Sequence, residues 1–186
     1  MTTTAGHSAG RGEDEDDGGG WLLREFVADP RIGERWRRHV HPIPLASGCL
    51  IWTGAISAGG HGRFWLGRRP DGRDLVIVAH RFGYALHHGI DALLTTEVIR
   101  HTCDEPSCQN PTHWAAGTTQ ENTLEWANRR WNPGSPLRDI RGARGRAEAL
   151  RTAALTGANL DHTAAAGKPL GDRLQDPLPL LPAHLD

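Results

Sequence analysis

Between Val98 and Arg130 the chain reads VIRHTCDEPSCQNPTHWAAGTTQENTLEWANRR, a run dense in residue types that hold metals and move protons. Cys103 and Cys108 lie five apart and His113 follows five further on, with Asp104, Glu105, Pro106, Ser107, Asn110 and Pro111 between them. Turn formers in both gaps let the loop fold back, so that two thiolates and an imidazole can converge on one ion. A structural zinc takes four ligands. Cys49 supplies the fourth, and a Cys3His centre then accounts for all three cysteines of the protein. The competing role for Cys49 is that of a small buried hydrophobe beside Leu50 and Ile51. Soft thiolates select zinc over magnesium, and a closed centre stabilises a loop without doing chemistry.

The pattern that surrounds these ligands, HxCxxxxCxNPxHxxxGTxxxN from His101 to Asn122, resembles HNH endonucleases of the His-Me finger (ββα-metal) superfamily. It is most similar to the zinc-stapled His-Cys box homing endonucleases and the phage HNH endonucleases. The resemblance covers residues 45–130, with Trp114 where leucine is usual. It implies a DNA endonuclease, hydrolysing phosphodiesters to 5′-phosphate and 3′-hydroxyl ends. His101, ending a strand, would be the general base that takes a proton from water, a task suited to an imidazole. Asn122, opening the next helix, would bind one Mg²⁺, for which Mn²⁺ substitutes, through its amide oxygen, with DNA phosphates and waters completing the shell. Arg63 resembles the family's arginine that contacts the scissile phosphate, and His80 an auxiliary phosphate-contacting histidine. His61, His87 and His88 read as ordinary surface or partly buried residues, and Asn110 as a turn former.

Arg63, Arg68, Arg69 and Arg73, interleaved with Phe64 and Trp65, are the candidate contacts to double-stranded DNA. They could read guanine or only face phosphate, and the shortness of the strands favours phosphate. Homing members of this branch carry a second cysteine cluster that helps to hold their dimer. No cysteine follows Cys108, so a homodimer is not indicated, and a nickase fits as well as a double-strand cutter. Two further classes stay open. A non-catalytic zinc-stapled module binding DNA or protein would need the four ligands but neither His101 nor Asn122. A small restriction-like or defence nuclease could use the acidic run Glu13–Asp17 to mask its arginine face.

The elements that must position these residues are short. Residues 1–20 combine glycine, threonine and acid with almost no apolar side chain and read as a disordered arm. Residues 21–44 suggest two short helices broken at Asp29-Pro30, the second bearing Arg31, Arg35, Arg37 and Arg38. Those arginines suit a solvated surface better than DNA contact. The nuclease domain spans 45–132. It opens with an antiparallel meander of Cys49–Thr53, Gly62–Gly67 and Leu75–Ala79, then a helix over His80–His88 stopped by Gly89. A strand over Glu97–Thr102 and a helix from about Gln120 to Arg130, capped by Thr118 or Thr119, complete it. Residues 133–186 read as an arginine- and alanine-rich helix over Asp139–Leu155 and a poorly ordered tail. The fold class is α+β. In the terms of the resemblance it is a small meander followed by a ββα-metal motif with a structural zinc, flanked by short helices and disordered tails.

Composition agrees with one such domain. With 186 residues there is room for one core, and 38% hydrophobic content makes that core modest, so some of the seven tryptophans must cover it. The net charge of −1 hides a division: residues 1–20 hold five acids against one arginine, whereas residues 21–150 hold 17 arginines against 13 acids, and the planar fork of arginine suits phosphate. Unpaired cysteine usage and a polar, acidic start without an apolar signal segment point to an intracellular, cytoplasmic location, nucleoid-associated when DNA is bound. No run is long enough to span a membrane.

Overall fold

The computed structural model describes residues 20–173. The acidic arm, Gly20 excepted, and the last part of the expected tail lie outside the described residues. Two short helices open the structure, α1 (Gly20–Ala28) and α2 (Pro30–Arg38). The break between them is chemical: the Asp29 carboxylate accepts from the Arg31 backbone N–H at 2.9 Å, and Pro30 sits in the first turn, where its missing N–H costs nothing. Ile32 and Trp36 point inward. The arginines of α2 mostly have local partners: Arg31 pairs with Asp29, Arg38 with Glu34, and Arg35 donates to the carbonyls of Trp65 and Leu66.

The meander consists of β1 (Ala55–Ile56), β2 (Gly62–Arg68) and β3 (Asp74–Val78), antiparallel and in that spatial order. Alternation along β2 buries Phe64 and Leu66 and leaves Arg63, Trp65 and Arg68 outside, with a bulge at Trp65–Gly67. There follow α3 (Ala79–His88) and the short α4 (Ile90–Leu94). A second antiparallel pair is formed by β4 (Val98–His101) and β5 (Trp114–Gly117), with His101 opposite Trp114, and α5 (Thr119–Arg129) follows directly. The result is α+β with small antiparallel sheets.

Cys49–Thr53 is extended, as its sequence suggests, but does not join the meander. Val40 and Cys108 instead make isolated bridges to Trp52 and Ile51, and Gln109 N–H donates to Leu50 at 2.7 Å. This segment is shared between the exit of α2 and the cysteine loop, with too few pairs on either side for a strand. The same sharing draws Cys49 toward Cys108.

Trp36, Trp52, Phe64, Phe82, Ile99 and Trp114 form the main core. Gly83 makes it possible: a Cβ there would lie 2.5 Å from ring atoms of both Trp36 and Trp114. Three tryptophans thus cover the core, whereas Trp21, Trp65, Trp126 and Trp131 are exposed.

Beyond 133 the structure departs from the expected weakly ordered tail. The anticipated helix is present as α6 (Gly142–Thr156), and it is followed by α7 (Leu160–Ala166) and α8 (Leu170–Arg173). Helices of seven and four residues are too short to display a 3.6-residue period, so their stability comes from packing and caps. Asn159 caps α7 by accepting from His162 N–H at 2.7 Å. Leu150, Ala153 and Leu160 build a second core with Leu45, Ile51, Cys49 and Cys108. The C-terminal helices therefore close over the cysteine loop.

Candidate functional site

Four ligand-type side chains meet beneath α6. Cys49 arrives on the shared extended segment, Cys103 and Cys108 flank the loop after β4, and His113 ends a 3-10 turn spanning Pro111–His113. Asn110 ties these parts together, capping the turn by accepting from Thr112 N–H at 3.0 Å and donating to the Gly48 carbonyl at 2.8 Å. The ligand atoms of Cys49, Cys103, Cys108 and His113 all lie within 4.8 Å of one another. His113 Nδ1 is 3.6 Å from Cys49 Sγ and 3.5 Å from Cys108 Sγ. A tetrahedral ion with metal–sulfur bonds of about 2.3 Å and metal–nitrogen bonds of about 2.0 Å separates such atoms by about 3.5 Å. The cluster could therefore hold a metal ion such as zinc. Hydrogen bonds from the Cys103 and Cys108 thiols hold Cys49 down to about 2, while hydrogen bonding with Cys103 and Cys49 pushes Cys108 up. A dication bound here would displace the thiol protons.

A cavity of about 530 Å³ lies on the other side of the loop, lined among others by His61, His80, His101, Asp104, Asn122 and Trp126. The end of β4 delivers His101, whose register is fixed opposite Trp114. Asn122 sits in the first turn of α5, which is held by a capping box: Thr118 Oγ1 accepts from Glu121 N–H at 3.2 Å and Glu121 Oε2 accepts from Thr118 N–H at 2.8 Å. No residue of α5 is buried, so charge docks it in place of apolar packing. Arg100 on β4 pairs with Glu125, and Arg129 reaches Asp104 at 3.3 Å and the Thr102 carbonyl at 2.9 Å.

The histidines form a cluster. The His80 ring centre is 4.4 Å from that of His101, edge to face, and the His61 ring lies 5.5 Å from His80 and 6.0 Å from His101. His80 Nε2 is 3.2 Å from the Ile99 carbonyl. A carbonyl only accepts, so that nitrogen carries the proton and Nδ1 is bare. His80 Nδ1 and both ring nitrogens of His101 are buried without a hydrogen-bond partner. Burial lowers His80 to about 3, and burial, followed by the neighbouring imidazoles of His80 and His61, pushes His101 well below the usual histidine range. Both rings are neutral at physiological pH.

Two residues of this cavity were not singled out from the sequence. His61 is presented by a tight loop in which Ser57 N–H donates to the His61 carbonyl at 2.8 Å and His61 N–H to Ser57 Oγ at 3.1 Å. Gly60, at φ +82°, could not carry a side chain, because its Cβ would meet the Ala143 carbonyl of α6 at 2.7 Å. The Gly59-Gly60 pair before HGRF was the available signal, but it reads equally well as a plain turn. Asp104, a loop residue with φ 58°, contributes a carboxylate to the lining, and burial raises its pKa.

The candidate arginines divide. Arg63 is exposed on β2 opposite Val78, which lines the cavity, and it makes no ion pair or hydrogen bond with the described residues. Paired residues share a face of the sheet, so Arg63 lies on the same face as Val78, though it is not itself among the residues lining the cavity. Arg68, Arg69 and Arg73 lie at the far end of the hairpin beside carboxylates, at 3.7 Å from Asp74, 3.7 Å from Asp71 and 2.6 Å from Asp71 respectively. They are not brought to the cavity.

No family model matches the chain, and no solved structure does. Two proteins of Escherichia phage T7 are similar to it. Protein 7.7 is 32% identical over 75 residues, covering 40% of this chain and 52% of that protein. Protein 2.8 is 34% identical over 84 residues, covering 45% of this chain and 52% of that protein. The chain thus spans about half the length of these curated relatives. Among the described residues no helix is long and apolar enough to cross a membrane.

Proposed function

We propose that the protein is a metal-dependent endonuclease of the HNH, His-Me finger type, homing- or phage-like, acting on double-stranded DNA. The observation that carries it is the meeting of His101, which closes β4, with Asn122, which opens α5, in one cavity beside the four-ligand knot. The order β4, β5, α5 supports a ββα-metal motif. In this reading zinc occupies Cys49, Cys103, Cys108 and His113 and serves structure only, since protein atoms fill all four positions.

Asn122 would hold Mg²⁺ through its amide oxygen, and Asp104, which pairs with Arg129 at 3.3 Å, would bring a second hard oxygen to the same cavity. The chemistry that Mg²⁺ supplies when bound is charge stabilisation on the phosphorane and the departing 3′-oxygen. His101 takes a proton from the attacking water as the water oxygen bonds to phosphorus and the P–O3′ bond breaks. Its depressed pKa keeps the base form available. His80, with its N–H committed to Ile99, fixes the tautomer of its own ring and packs against His101. Arg63, on the sheet face it shares with Val78 and free of carboxylates, meets the phosphate.

The test is plasmid nicking with Mg²⁺ by wild type, His101→Ala and Asn122→Ala, each shown to retain zinc. Wild type should convert supercoiled DNA to nicked or linear forms, and each variant should lose at least about 100-fold in rate. Intact supercoiled DNA with wild type across Mg²⁺ and Mn²⁺, or normal cutting by either variant, overturns the assignment and leaves a non-catalytic zinc module.

A further inference from the structure

Trp126, Arg130 and Trp131 form a ladder at the end of α5. The Arg130 guanidinium lies 4.5 Å from the Trp126 ring centre and 4.8 Å from that of Trp131, so one cation bridges two indoles. Trp126 is 47% and Trp131 68% exposed, and Leu124 on the same helix is 56% exposed. Clustered large apolar groups left in water on a rigid frame mark a binding surface. Hydrogen bonds and an ion pair tie the end of this frame to α8. The Trp131 carbonyl accepts from Arg138 at 3.1 Å, Arg138 pairs at 3.1 Å with the buried Asp172 of α8, and Asp172 also accepts from Gly134 N–H at 3.0 Å. Little ordering cost therefore attends binding there.

Position and charge narrow the occupant. Trp126 lies one helical turn past Asn122 and lines the same cavity, so the ladder leads from the cavity outward. Arg129 and Arg138 are already neutralised by carboxylates, whereas Arg130 has no carboxylate partner among the described residues and its Nε is buried without a hydrogen bond.

We propose that this ladder is a stacking subsite for unpaired nucleobases of a DNA strand entering the cavity, with Arg130 available to that strand's phosphate; the inference rests on the nucleic-acid reading above. A nucleotide offers both a π face and an anion. A duplex keeps its base faces in its own stack, so only unpaired, flipped or frayed bases can use the indoles. A second copy of this chain could cover the apolar area and bring carboxylates to Arg130, but a nucleotide joins the π face and the anion in one unit beside the cavity; the second copy is the alternative that sedimentation tests. The expected consequence is a preference for DNA with an unpaired stretch next to the cut.

The experiment measures binding of the zinc-loaded full chain, without Mg²⁺, to fluorescent dT20 and to a 20-base-pair duplex at one fixed salt concentration. dT20 should quench indole fluorescence. Trp131→Ala should weaken dT20 binding by about 5- to 100-fold, with Trp131→Phe largely restoring it, while duplex affinity changes less than about twofold. Equal losses for both probes, or none for dT20, overturn the proposal. So does a Trp131-dependent dimer in sedimentation with unchanged dT20 affinity. Platform-dependent dT20 binding by a protein that cannot nick plasmid would sink the nuclease assignment alone, and nicking by a protein whose dT20 binding ignores Trp131 would sink the platform alone.

Discussion

The metal knot and the histidine cavity stand at the two sides of one loop and treat their polar atoms in opposite ways. Around the knot nearly everything is satisfied. Glu105, buried in the loop, accepts from Ser107 Oγ at 2.8 Å and Arg146 Nε at 2.6 Å, and Arg146 also reaches Asp139 at 3.1 Å. Gln109 Oε1 is the exception. In the cavity, three imidazole nitrogens of His80 and His101 are buried and bare. A buried polar atom without a partner costs about 1–3 kcal/mol. The contrast is one of hydrogen bonding: the loop's buried carboxylate is paired, whereas the imidazoles of His80 and His101 keep bare nitrogens.

That contrast is open to attack, most severely by removing the metal. Chelation, or Cys108→Ser, should abolish or greatly lower the cooperative thermal transition, because four ligands from distant segments hold the second core together. Elemental analysis should give about one zinc per chain before chelation, and an unchanged melt after its loss breaks the comparison. Next in size is the buried ion pair. Arg146→Met strands the buried Glu105, while Asp139 keeps Arg141, and should cost about 3–5 kcal/mol in urea unfolding, whereas His101→Ala, losing no internal hydrogen bond, should leave stability nearly unchanged. Similar losses in both variants would erase the distinction.

Acid should act through the cavity. The folded-state value of His80 is about 3 against an ordinary 6.5, so the folded protein resists a proton that the unfolded chain accepts. This contribution is fully present above pH 6.5 and is lost as pH falls from 6.5 toward about 3, by on the order of a few kcal/mol. Urea midpoints across that window measure it, and His80→Phe should flatten the profile. In the proposed nuclease reading, the depression of His101 by burial places the acid limb of kcat/KM below the ordinary histidine range. The smallest effects belong to the hairpin tip. Arg68→Gln, Arg69→Gln and Arg73→Gln should each change duplex affinity by less than about twofold, because exposed, carboxylate-paired arginines contribute little. Arg63→Gln, lacking such a partner, should cost more; the reverse ranking would move the proposed DNA contact to the tip.

Much of the framework was legible in residue order. Asp29-Pro30 announced the helix break, Gly89 the end of α3, and the Thr118-Thr119 pair with Glu121 the start of α5, where the structure selects Thr118 as the cap, because each acts through bonds between near neighbours. The cluster of Cys103, Cys108 and His113 followed from spacing, and Cys49 from the count of cysteines. What stayed hidden depends on distant partners. Cys49–Thr53 looks like a strand of the meander and is instead divided between two neighbours. The short C-terminal helices carry no period, and their place over the cysteine loop rests on Arg146, Leu150 and Leu160 meeting residues about a hundred positions earlier or in the loop itself. His61 was unremarkable until Gly60 packed against α6 and turned it toward His80 and His101.

The sequence by itself determined which residues could be ligands and where α2, α3 and α5 begin or end, since capping, turn formation and thiolate chemistry are local properties. Only the tertiary structure decided that Asn122, Asp104 and three histidines share one cavity, which arginines are already neutralised, and which tryptophans are left in water. Those outcomes are set by burial and by charges that meet across the fold, and neither is written in the order of the residues.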